Sequence, residues 1–528
     1  RDLHVRSRRQ RQMCIRDRSE STLLTASNAS ELFHSTFQNC TSLTNIDMSN
    51  WATNNVVWYM RKTFHTCRSV SSVKAPSSKI MPVTYFGSVD SQAFNNSPFR
   101  YVGADVAGGA TWKFEGLDFS NAVVNRLPTS FANIRINGNT SSFKNWKFNS
   151  NIIGTNNLFY FAVVKGTDPT FDCSGWTTLN ASDFAATFRG ISCDSNTTLD
   201  ISNWNVSNAA SFSLFMGHTF SPNFISNIVG LSTWGATPGN VNFAYAFANM
   251  KNLALTASDN FSDAFINSLT PISLQDSFSR LGQNRNSTTF LRGAPPNLAS
   301  LDLTSANTNT GLVGTFSFAG FDSLPDFTNV TFPSTACSYA FLFRGIRTTT
   351  GSDHLDFSSK TFKPTSLSRS FEDFFSASKV TLPSGINAFA SLVNMSFAFQ
   401  TAGRASRELE VILPTDADYS NVTNWANSFN NLNGPGTNTL TNCVGDTLIR
   451  RLYATSLNAN QQALNLGNTP LTGSPSVVKS NVEDLENAGW TITSSSTDAV
   501  MPFSYTTPFN TGQTATPCLL YTSPSPRD

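Results

Sequence analysis

The stretch that decides the fold is FHSTFQNCTSLTNIDMSNWATN, residues 33–54. Its first half places Phe33, Phe37 and Cys40 at the spacing of one apolar face of a helical turn. Its second half has a strand-like apolar run centred on Ile46 and closes with Ser-Asn-Trp. The stretch therefore predicts a compact unit made of a turn, a short strand and a closing tryptophan.

The same order of residues returns along most of the chain. A phenylalanine anchor recurs at intervals of 25 to 40 residues between Phe37 and Phe429. A period near thirty that is sustained this long predicts a solenoid of stacked repeats rather than a string of globular domains. The fourteen anchors are Phe37, Phe64, Phe94, Phe131, Phe161, Phe188, Phe215, Phe247, Phe278, Phe318, Phe343, Phe371, Phe399 and Phe429.

The strand half of the repeat recurs as Leu-Asp-apolar-Ser or Thr, at 117–120, 199–202, 301–304 and 355–358. The alternation of a strand sends the two apolar residues inward and the polar residues outward. We therefore expect Asp and Ser to face solvent. The 44 phenylalanines are then explained as core rings that stack from rung to rung, without any cofactor.

The full pattern at 37–56 is F-x-x-C-x-S-L-T-x-apolar-D-apolar-S-N-W-x-T-x-N-V. This pattern resembles the BspA-like leucine-rich repeat surface proteins, whose repeats also occur in mycoplasma-type surface lipoproteins. The match is strongest at 33–67 and 187–215, and it is blurred around 100–160 and 282–318. The resemblance implies an α/β leucine-rich-repeat-like solenoid with a surface or adhesive role. It carries over no catalytic residue.

Both ends of the sequence resemble translated sequencing adaptors. Residues 1–18 and 518–528 carry eight of the 36 Lys and Arg and three of the 34 Asp and Glu. Without them 28 basic residues face 31 acidic ones, so the remaining chain has a net charge of −3 and no basic arm. We therefore expect no nucleic-acid partner, and we leave both segments out of the fold prediction.

The remaining chain divides into three segments that differ in composition and sequence pattern. Residues 19–438 are predicted to form the solenoid, residues 439–497 a C-terminal cap, and residues 498–517 a Ser/Thr/Pro-rich tail. In the cap, a helix that begins at Ser474-Pro475 would place Val478, Val482 and Leu485 on one face. The sequences ALNLG at 463–467 and WTIT at 490–493 are predicted strands. A final helix over an exposed rung is typical of a capping unit.

Charged residues make up 13% of the chain, about half the usual share. Polarity must come from Ser, Thr and Asn instead, a habit more typical of extracellular β-rich proteins than of cytosolic enzymes. The longest obvious apolar run, residues 158–164, is too short for a membrane helix. Sequons occur at Asn28, Asn39 and Asn196, but a chain this rich in Asn, Ser and Thr produces some by chance.

The cysteines and histidines form no recognisable site. Cys40 and Cys67 hold equivalent places in consecutive repeats, so they could form a disulfide in an oxidising compartment, although two buried thiols are favoured because neighbouring rungs seldom offer disulfide geometry. No C-x-x-C or H-E-x-x-H motif is present, and we expect no metal, cofactor or catalytic residue. The others are Cys173, Cys193, Cys337 and Cys443, with His34, His65, His218 and His354.

Four tryptophans, Trp51, Trp176, Trp204 and Trp234, end the strand halves of their repeats. We interpret them as core or edge residues rather than sugar-stacking platforms.

A non-enzymatic adhesion or recognition module, extracellular or displayed on a surface, is the function that these features favour. We expect extracellular proteins or glycans as partners, a monomer, and no membrane span in this chain. Two alternatives stay open: the receptor-binding part of a phage tail fibre, and a binding region of a larger, truncated enzyme. A signal peptide and anchor, virion genes or a catalytic motif in the flanking sequence would separate the three.

Overall fold

A computed structural model describes the chain from Phe33 to Ser494, with gaps. The described residues group into two compact units, here called unit 1 (residues 1–269 and 284–286) and unit 2 (residues 270–283 and 287–528). The described ranges are 33–51, 53, 58–85, 97–122, 127, 129–137, 142–148, 154–167, 169–178, 180–217, 225–283, 293–349, 353–385, 387–403, 409–414, 416–430, 432, 448–450, 452–454, 463–467 and 475–494.

Unit 1 is a parallel β-solenoid whose strands pair with the equivalent strands of neighbouring rungs. Ile46 pairs with Val73, and Val73 pairs in turn with Trp112. The sheets are β1-β3-β5, β2-β4, β6-β7-β9 and β8-β10-β11. Their strands are β1 Asn45–Asp47, β2 Trp58–Tyr59, β3 Ser72–Lys74, β4 Val83–Tyr85, β5 Thr111–Lys113, β6 Arg135–Asn137, β7 Val163–Lys165, β8 Thr170–Asp172, β9 Ser192–Cys193, β10 Thr197–Asp200 and β11 Ile225–Val229.

Unit 2 repeats this plan. Its sheets are β12-β14, β13-β16, β15-β17-β18 and β19-β20, and every strand pair is parallel. The strands are β12 Gly320–Phe321, β13 Cys337–Ser338, β14 Arg347–Thr348, β15 Asp353–Asp356, β16 Pro364–Ser366, β17 Ala377–Thr381, β18 Glu410–Ile412, β19 Ala463–Gly467 and β20 Thr491–Ser494. The described residues make about 11 turns of solenoid, which confirms the solenoid and is fewer than the fourteen anchors counted in the sequence.

The Leu-Asp-apolar-Ser motif alternates as predicted. In β10, Leu199 and the following Ile201 are fully buried, whereas Asp200 is half-exposed. The aspartate also accepts a hydrogen bond from the backbone N–H two residues later, an Asx turn that ends the strand. The same bond occurs in all four motifs, from Ser120 to Asp118 (2.8 Å), Ser202 to Asp200 (2.9 Å), Thr304 to Asp302 (2.9 Å) and Ser358 to Asp356 (2.8 Å).

The Phe-rich halves of the described rungs are chains of tight turns, not α-helix. The N–H groups of Phe341, Phe343 and Gly345 donate to carbonyl oxygens of the next rung at 2.8–2.9 Å, whereas those of Leu342 and Arg344 close turns within their own rung. Phe341 and Gly345 have φ angles of 60° and 62°. A right-handed helix cannot continue through left-handed residues at such short intervals.

The anchor rings stack into a column through the core of each unit. In unit 1 the column runs through Phe37, Phe64, Phe99, Phe131, Phe159, Phe188, Phe215 and Phe247, with ring centroids 5.2–6.2 Å apart. In unit 2 it runs through Phe278, Phe316, Phe343, Phe371, Phe399 and Phe429, with centroids 4.9–5.9 Å apart. The predicted rung-to-rung ring contacts are confirmed, although two of the pairs, Phe188–Phe215 and Phe215–Phe247, meet edge-on rather than stacked.

Two of the predicted anchors are wrong by two residues. Phe161 and Phe318 are half-exposed and have φ angles of 52° and 57°, because they occupy the left-handed turn position that follows the core ring. The buried rings of those rungs are Phe159 and Phe316. A third predicted anchor, Phe94, lies outside the described residues.

A second column is formed by tryptophans in unit 1. The indole rings of Trp146, Trp176 and Trp204 are buried and stack at 5.0 and 5.1 Å. Each ring N–H donates to a carbonyl oxygen of the preceding rung at 2.7–2.9 Å. Trp234 is buried as well, and Trp51 is half-buried against Phe33. The predicted core or edge role of these rings is confirmed.

Helix is scarce among the described residues. In unit 1, α1 spans Asp263–Ser268 and a 3₁₀ turn spans Leu231–Thr233. In unit 2, α2 spans Pro475–Asn487, and residues 448–450 and 452–454 are also helical. The predicted C-terminal helix and both of its flanking strands are present. Val482 and Leu485 are buried as expected, and the side chain of Val478 lies outside the described part.

Candidate binding surface

The outward positions of the strands form rows of short polar side chains in each unit. In unit 1, Thr170 pairs with Thr198 and Asp172 with Asp200 across β8 and β10, and all four side chains face away from the core. One carboxylate oxygen of each aspartate accepts the hydrogen bond of the Asx turn, and the other oxygen of Asp172 lies 3.5 Å from Nζ of Lys144. Such rows offer hydrogen-bond acceptors at the regular spacing of the strands.

Charges on the outward faces are largely paired. Lys74 contacts Asp47 at 2.8 Å and Lys165 contacts Asp194 at 2.7 Å across adjacent rungs of unit 1. The hydrogen bond from Lys74, followed by that from Ser49, lowers the pKa of Asp47 to about 2. Exposed pairs of this kind add little stability, but they leave few uncompensated charges for an ionic partner.

On the turn face of unit 2, arginines cover the exposed aromatic rings. The guanidinium of Arg344 lies 4.9 Å from the ring centre of Phe318, and that of Arg369 lies 4.2 Å from Phe397. Glu372 contacts both arginines. Its carboxylate lies 2.7 Å from Arg369 and 2.6 Å from Arg344, and the contact with Arg344 lacks hydrogen-bond geometry. These guanidinium–ring contacts are stabilising. They also occupy ring faces that a sugar would otherwise use.

A cleft of about 270 Å³ opens on the outward side of unit 2. It lies between strand β15 and the segment Ser323–Thr328 of the preceding rung. The exposed side chains at its rim are Asp326, Thr328, His354 and Asp356, and the buried Leu324, Pro325, Phe327 and Leu355 form its apolar part.

The cleft exists because the parallel ladder opens at this point. Upstream the two rungs are still joined, since Thr349 donates its N–H to the carbonyl oxygen of Asp322 at 3.1 Å. No backbone hydrogen bond joins residues 325–328 to residues 354–356 among the described residues. Pro325 stands where the other motifs have leucine, and proline cannot donate to a ladder.

The open side of β15 directs backbone groups into the cleft. Phe357 donates its N–H to Thr381 on the β17 side at 2.9 Å, and Leu355 pairs with Val380. Alternate residues of a strand address opposite neighbours, so His354 and Asp356 direct their backbone groups to the other side, which is the cleft.

The electrostatics of the cleft are acidic. Hydrogen bonds from Thr328 hold the pKa of Asp326 below its usual value. Burial opposes ionisation of Asp356, but hydrogen bonds from Ser358 outweigh it and keep the pKa of that carboxyl low as well. His354 reaches the hydroxyl of Thr381 at 2.8 Å through Nε2. No Lys or Arg lines the cleft, so it suits a neutral or cationic ligand better than an anion.

The sequence predicts no site residue and does not reveal this cleft. The available signal was the sequence Pro-Asp-Phe-Thr at 325–328, which is the strand motif with its leucine replaced by proline. His354 was noted only as an isolated histidine. Two other aspartates of the strand motif, Asp302 and Asp200, lie in closed parts of the ladder of unit 2 and unit 1, respectively.

The remaining candidates behave as structural residues. Among the described residues, no disulfide is formed by the cysteines, which are Cys40, Cys67, Cys173, Cys193 and Cys337. A hydrogen bond with Cys40, together with burial, raises the pKa of the Cys67 thiol far above its usual range. His65 is half-buried, and burial with the charges of Arg100 and Lys62 lowers its pKa to about 4. Cys443, His218 and Asn28 lie outside the described residues.

Asp276 of unit 2 is the basis for a pH-dependent prediction. Burial raises its pKa to about 6 from 3.8, against the charge of Arg280 and a hydrogen bond with Ser279. Because the folded pKa exceeds the unfolded one, the free energy of unfolding falls as the pH rises from about 4 to about 6. We expect Asp276→Asn to raise the free energy of unfolding at pH 7 by on the order of 1 kcal/mol, a figure reduced to allow for the solvent exposure of the site. At pH 4 the substitution should have little effect.

Chemical denaturation of the parent and the variant at both pH values checks this expectation. The same stability difference at pH 4 and pH 7 would mean that Asp276 does not titrate as described.

The described ranges hold neither a cluster of metal ligands nor a membrane-spanning helix. No group of three or more His, Cys, Asp or Glu side chains is placed to hold a metal ion there. The helices in those ranges are too short and too polar to span a lipid bilayer. Comparison with protein-family models, with curated proteins and with solved structures finds no match to this chain.

Proposed function

We propose that the chain is a non-enzymatic recognition module that binds extracellular glycans or proteins through the outward faces of its rungs. The observation that carries this proposal is the repeated row of Asp, Ser and Thr side chains, as at Asp172 and Asp200. These rows offer many equivalent hydrogen-bond acceptors.

The binding would be the sum of many weak contacts. A single Asp or Ser contributes little after the cost of ordering is subtracted, whereas a partner that spans several rungs gains from each of them. Because Lys74, Lys165 and Lys379 on these faces already contact a carboxylate, the binding should depend only modestly on salt.

The motif at 37–56 supports the more specific form of the proposal, in which the solenoid is of the BspA-like leucine-rich-repeat type and is displayed, as a monomer, outside the cell. The scarcity of charged residues, 13% of the chain, is in keeping with that location. Asn39 and Asn196 are exposed, so both sequons are accessible if the host glycosylates secreted proteins.

An array of glycans and extracellular-matrix proteins, probed with residues 19–517, tests the proposal. We expect binding without turnover. Asp200→Asn or Asp302→Asn should weaken it less than about threefold, because asparagine keeps the acceptor of the Asx turn and only one rung changes. Deleting residues 160–215 removes two rungs between equivalent column positions, and it should abolish binding.

Two results would contradict distributed binding. One is conversion of a substrate by the purified chain. The other is complete loss of array binding on a single substitution, since a face that shares its contacts among rungs cannot depend on one residue.

A further inference from the structure

We propose that the cleft between Ser323–Thr328 and His354–Asp356 binds one neutral sugar residue. This inference rests on the proposed recognition function and assigns it a local site and a ligand class. The site is defined by the interruption of the ladder between two neighbouring rungs. A backbone hydrogen bond joins these rungs at Thr349, whereas the cleft separates them between Pro325 and Leu355.

The size of the cleft limits the ligand to about one ring. Its volume is about 270 Å³, slightly below the range of roughly 300–1,000 Å³ that holds drug-sized ligands. An extended peptide would have to pair with β15 as an additional strand. That would require about 4.8 Å between the peptide and the strand on either side of it. The adjacent Lys360 closes one end, because its Nζ contacts the carbonyl oxygen of Thr328.

The chemistry of the lining matches a sugar. Carboxylates are acceptors only, so Asp326 and Asp356 can each accept from ligand hydroxyl groups through the oxygen that the Asx turn leaves over. The backbone groups of β15 supply a donor and an acceptor beside them. Leu324 and Phe327, both 9% exposed, offer apolar surface for the C–H face of the ring.

The charge of the lining excludes acidic sugars. Asp326 and Asp356 line the cleft itself, whereas the nearest cations, Lys360 and Lys379, lie outside the lining. A uronic or sialic acid carboxylate in this partly enclosed site would therefore be repelled. The selectivity expected is therefore for hexosides and N-acetylhexosamines over their acidic counterparts.

Saturation-transfer NMR and calorimetry on the full chain test the proposal. The probes are the methyl glycosides of glucose, galactose, mannose and N-acetylglucosamine, with glucuronic and N-acetylneuraminic acids as acidic counterparts. We expect saturable binding of at least one neutral glycoside, with a dissociation constant on the order of 1 mM, and none of either acid. Among the described residues, no group of three or more His, Cys, Asp or Glu side chains is placed to hold a metal ion. EDTA should therefore leave the binding of the neutral glycoside unchanged.

The variant to compare is Asp326→Asn with Asp356→Asn. Asparagine keeps the Oδ1 acceptor for Thr328 and Ser358, so the fold is retained while the second carboxylate oxygen and the charge are lost. We expect at least tenfold weaker binding. The matched control is Asp302→Asn, which changes the same motif in a closed part of the ladder and should bind as the parent does.

His354→Ala removes an exposed ring from the rim and should weaken binding severalfold. The proposal is overturned if the folded parent binds none of the neutral glycosides. It is equally overturned if the double variant binds as well as the parent, if an acidic sugar binds as tightly, or if EDTA abolishes binding.

These outcomes are distinguishable from failure of the proposed function. If the chain binds polymers on the array but binds no monosaccharide, the proposed sugar site in the cleft is wrong and the proposed recognition function stands. If the cleft binds a monosaccharide but nothing binds on the array, the proposed distributed adhesion is wrong and the proposed sugar site stands. If both ideas hold, the double variant loses the monosaccharide and only weakens the array signal.

Discussion

Phe188→Ala is expected to lower the free energy of unfolding by roughly 3–5 kcal/mol. The ring of Phe188 is fully buried. It stacks on Phe159 at 5.8 Å and meets Phe171 and Phe215 edge-on at 5.7 and 5.5 Å. Alanine would leave a cavity between two rungs, and the neighbouring rings cannot close it because hydrogen bonds fix the rung spacing.

The matched control is Phe161→Ala. This ring is half-exposed in the left-handed turn position, so its loss should cost less than about 1 kcal/mol. Urea denaturation of the three proteins compares the midpoints and slopes, the slope being needed because repeat arrays can unfold in parts. Equal shifts for Phe188→Ala and Phe161→Ala would show that the ring column has been assigned to the wrong residues.

The periodic part of the fold could be predicted from sequence because its signals are local. The alternation of Leu199, Asp200 and Ile201 gives the strand and its buried face. The spacing of the phenylalanines gives the number of residues that each rung consumes. Both depend only on residues that are near each other in the chain, and neither needs the position of another rung.

The anchor errors at Phe161 and Phe318 have a different origin. In these rungs an aromatic ring stands at the core position and another stands two residues later, and the two residues are chemically alike. The backbone separates them, since the later one has a positive φ. Left-handed conformations of ordinary residues are uncommon, and here they are imposed by hydrogen bonds to the next rung, which sequence spacing does not reveal.

The cleft could not be predicted because it depends on the distance between two rungs. Pro325 removes one ladder donor, but a proline alone equally predicts an edge strand or a bulge. Only the divergence of Ser323–Thr328 from β15, with Thr349 still paired before it, turns that substitution into a space lined by Asp326 and Asp356.

Truncation after Asn438 should cause the chain to aggregate. Trp425 and Phe429 are fully buried, and Phe429 stacks on Phe399 of the core column at 5.5 Å. The truncation removes β19, α2 and β20, and with them the buried residues Leu452 and Trp490 of the same segment. An apolar rung and its strand edge would then face water, which is the usual starting point for association between solenoids.

Size-exclusion chromatography with light scattering, and binding of an apolar dye, measure the outcome. The matched control ends after residue 497, so it loses only the Ser/Thr/Pro-rich tail and the last segment, and it should stay monomeric. The two proteins differ only in residues 439–497, so any difference in solubility reports on that segment. A soluble monomer truncated after Asn438, with no increase in dye binding, would show that the segment does not act as a cap, because a rung with buried Trp425 and Phe429 would then be stable without it.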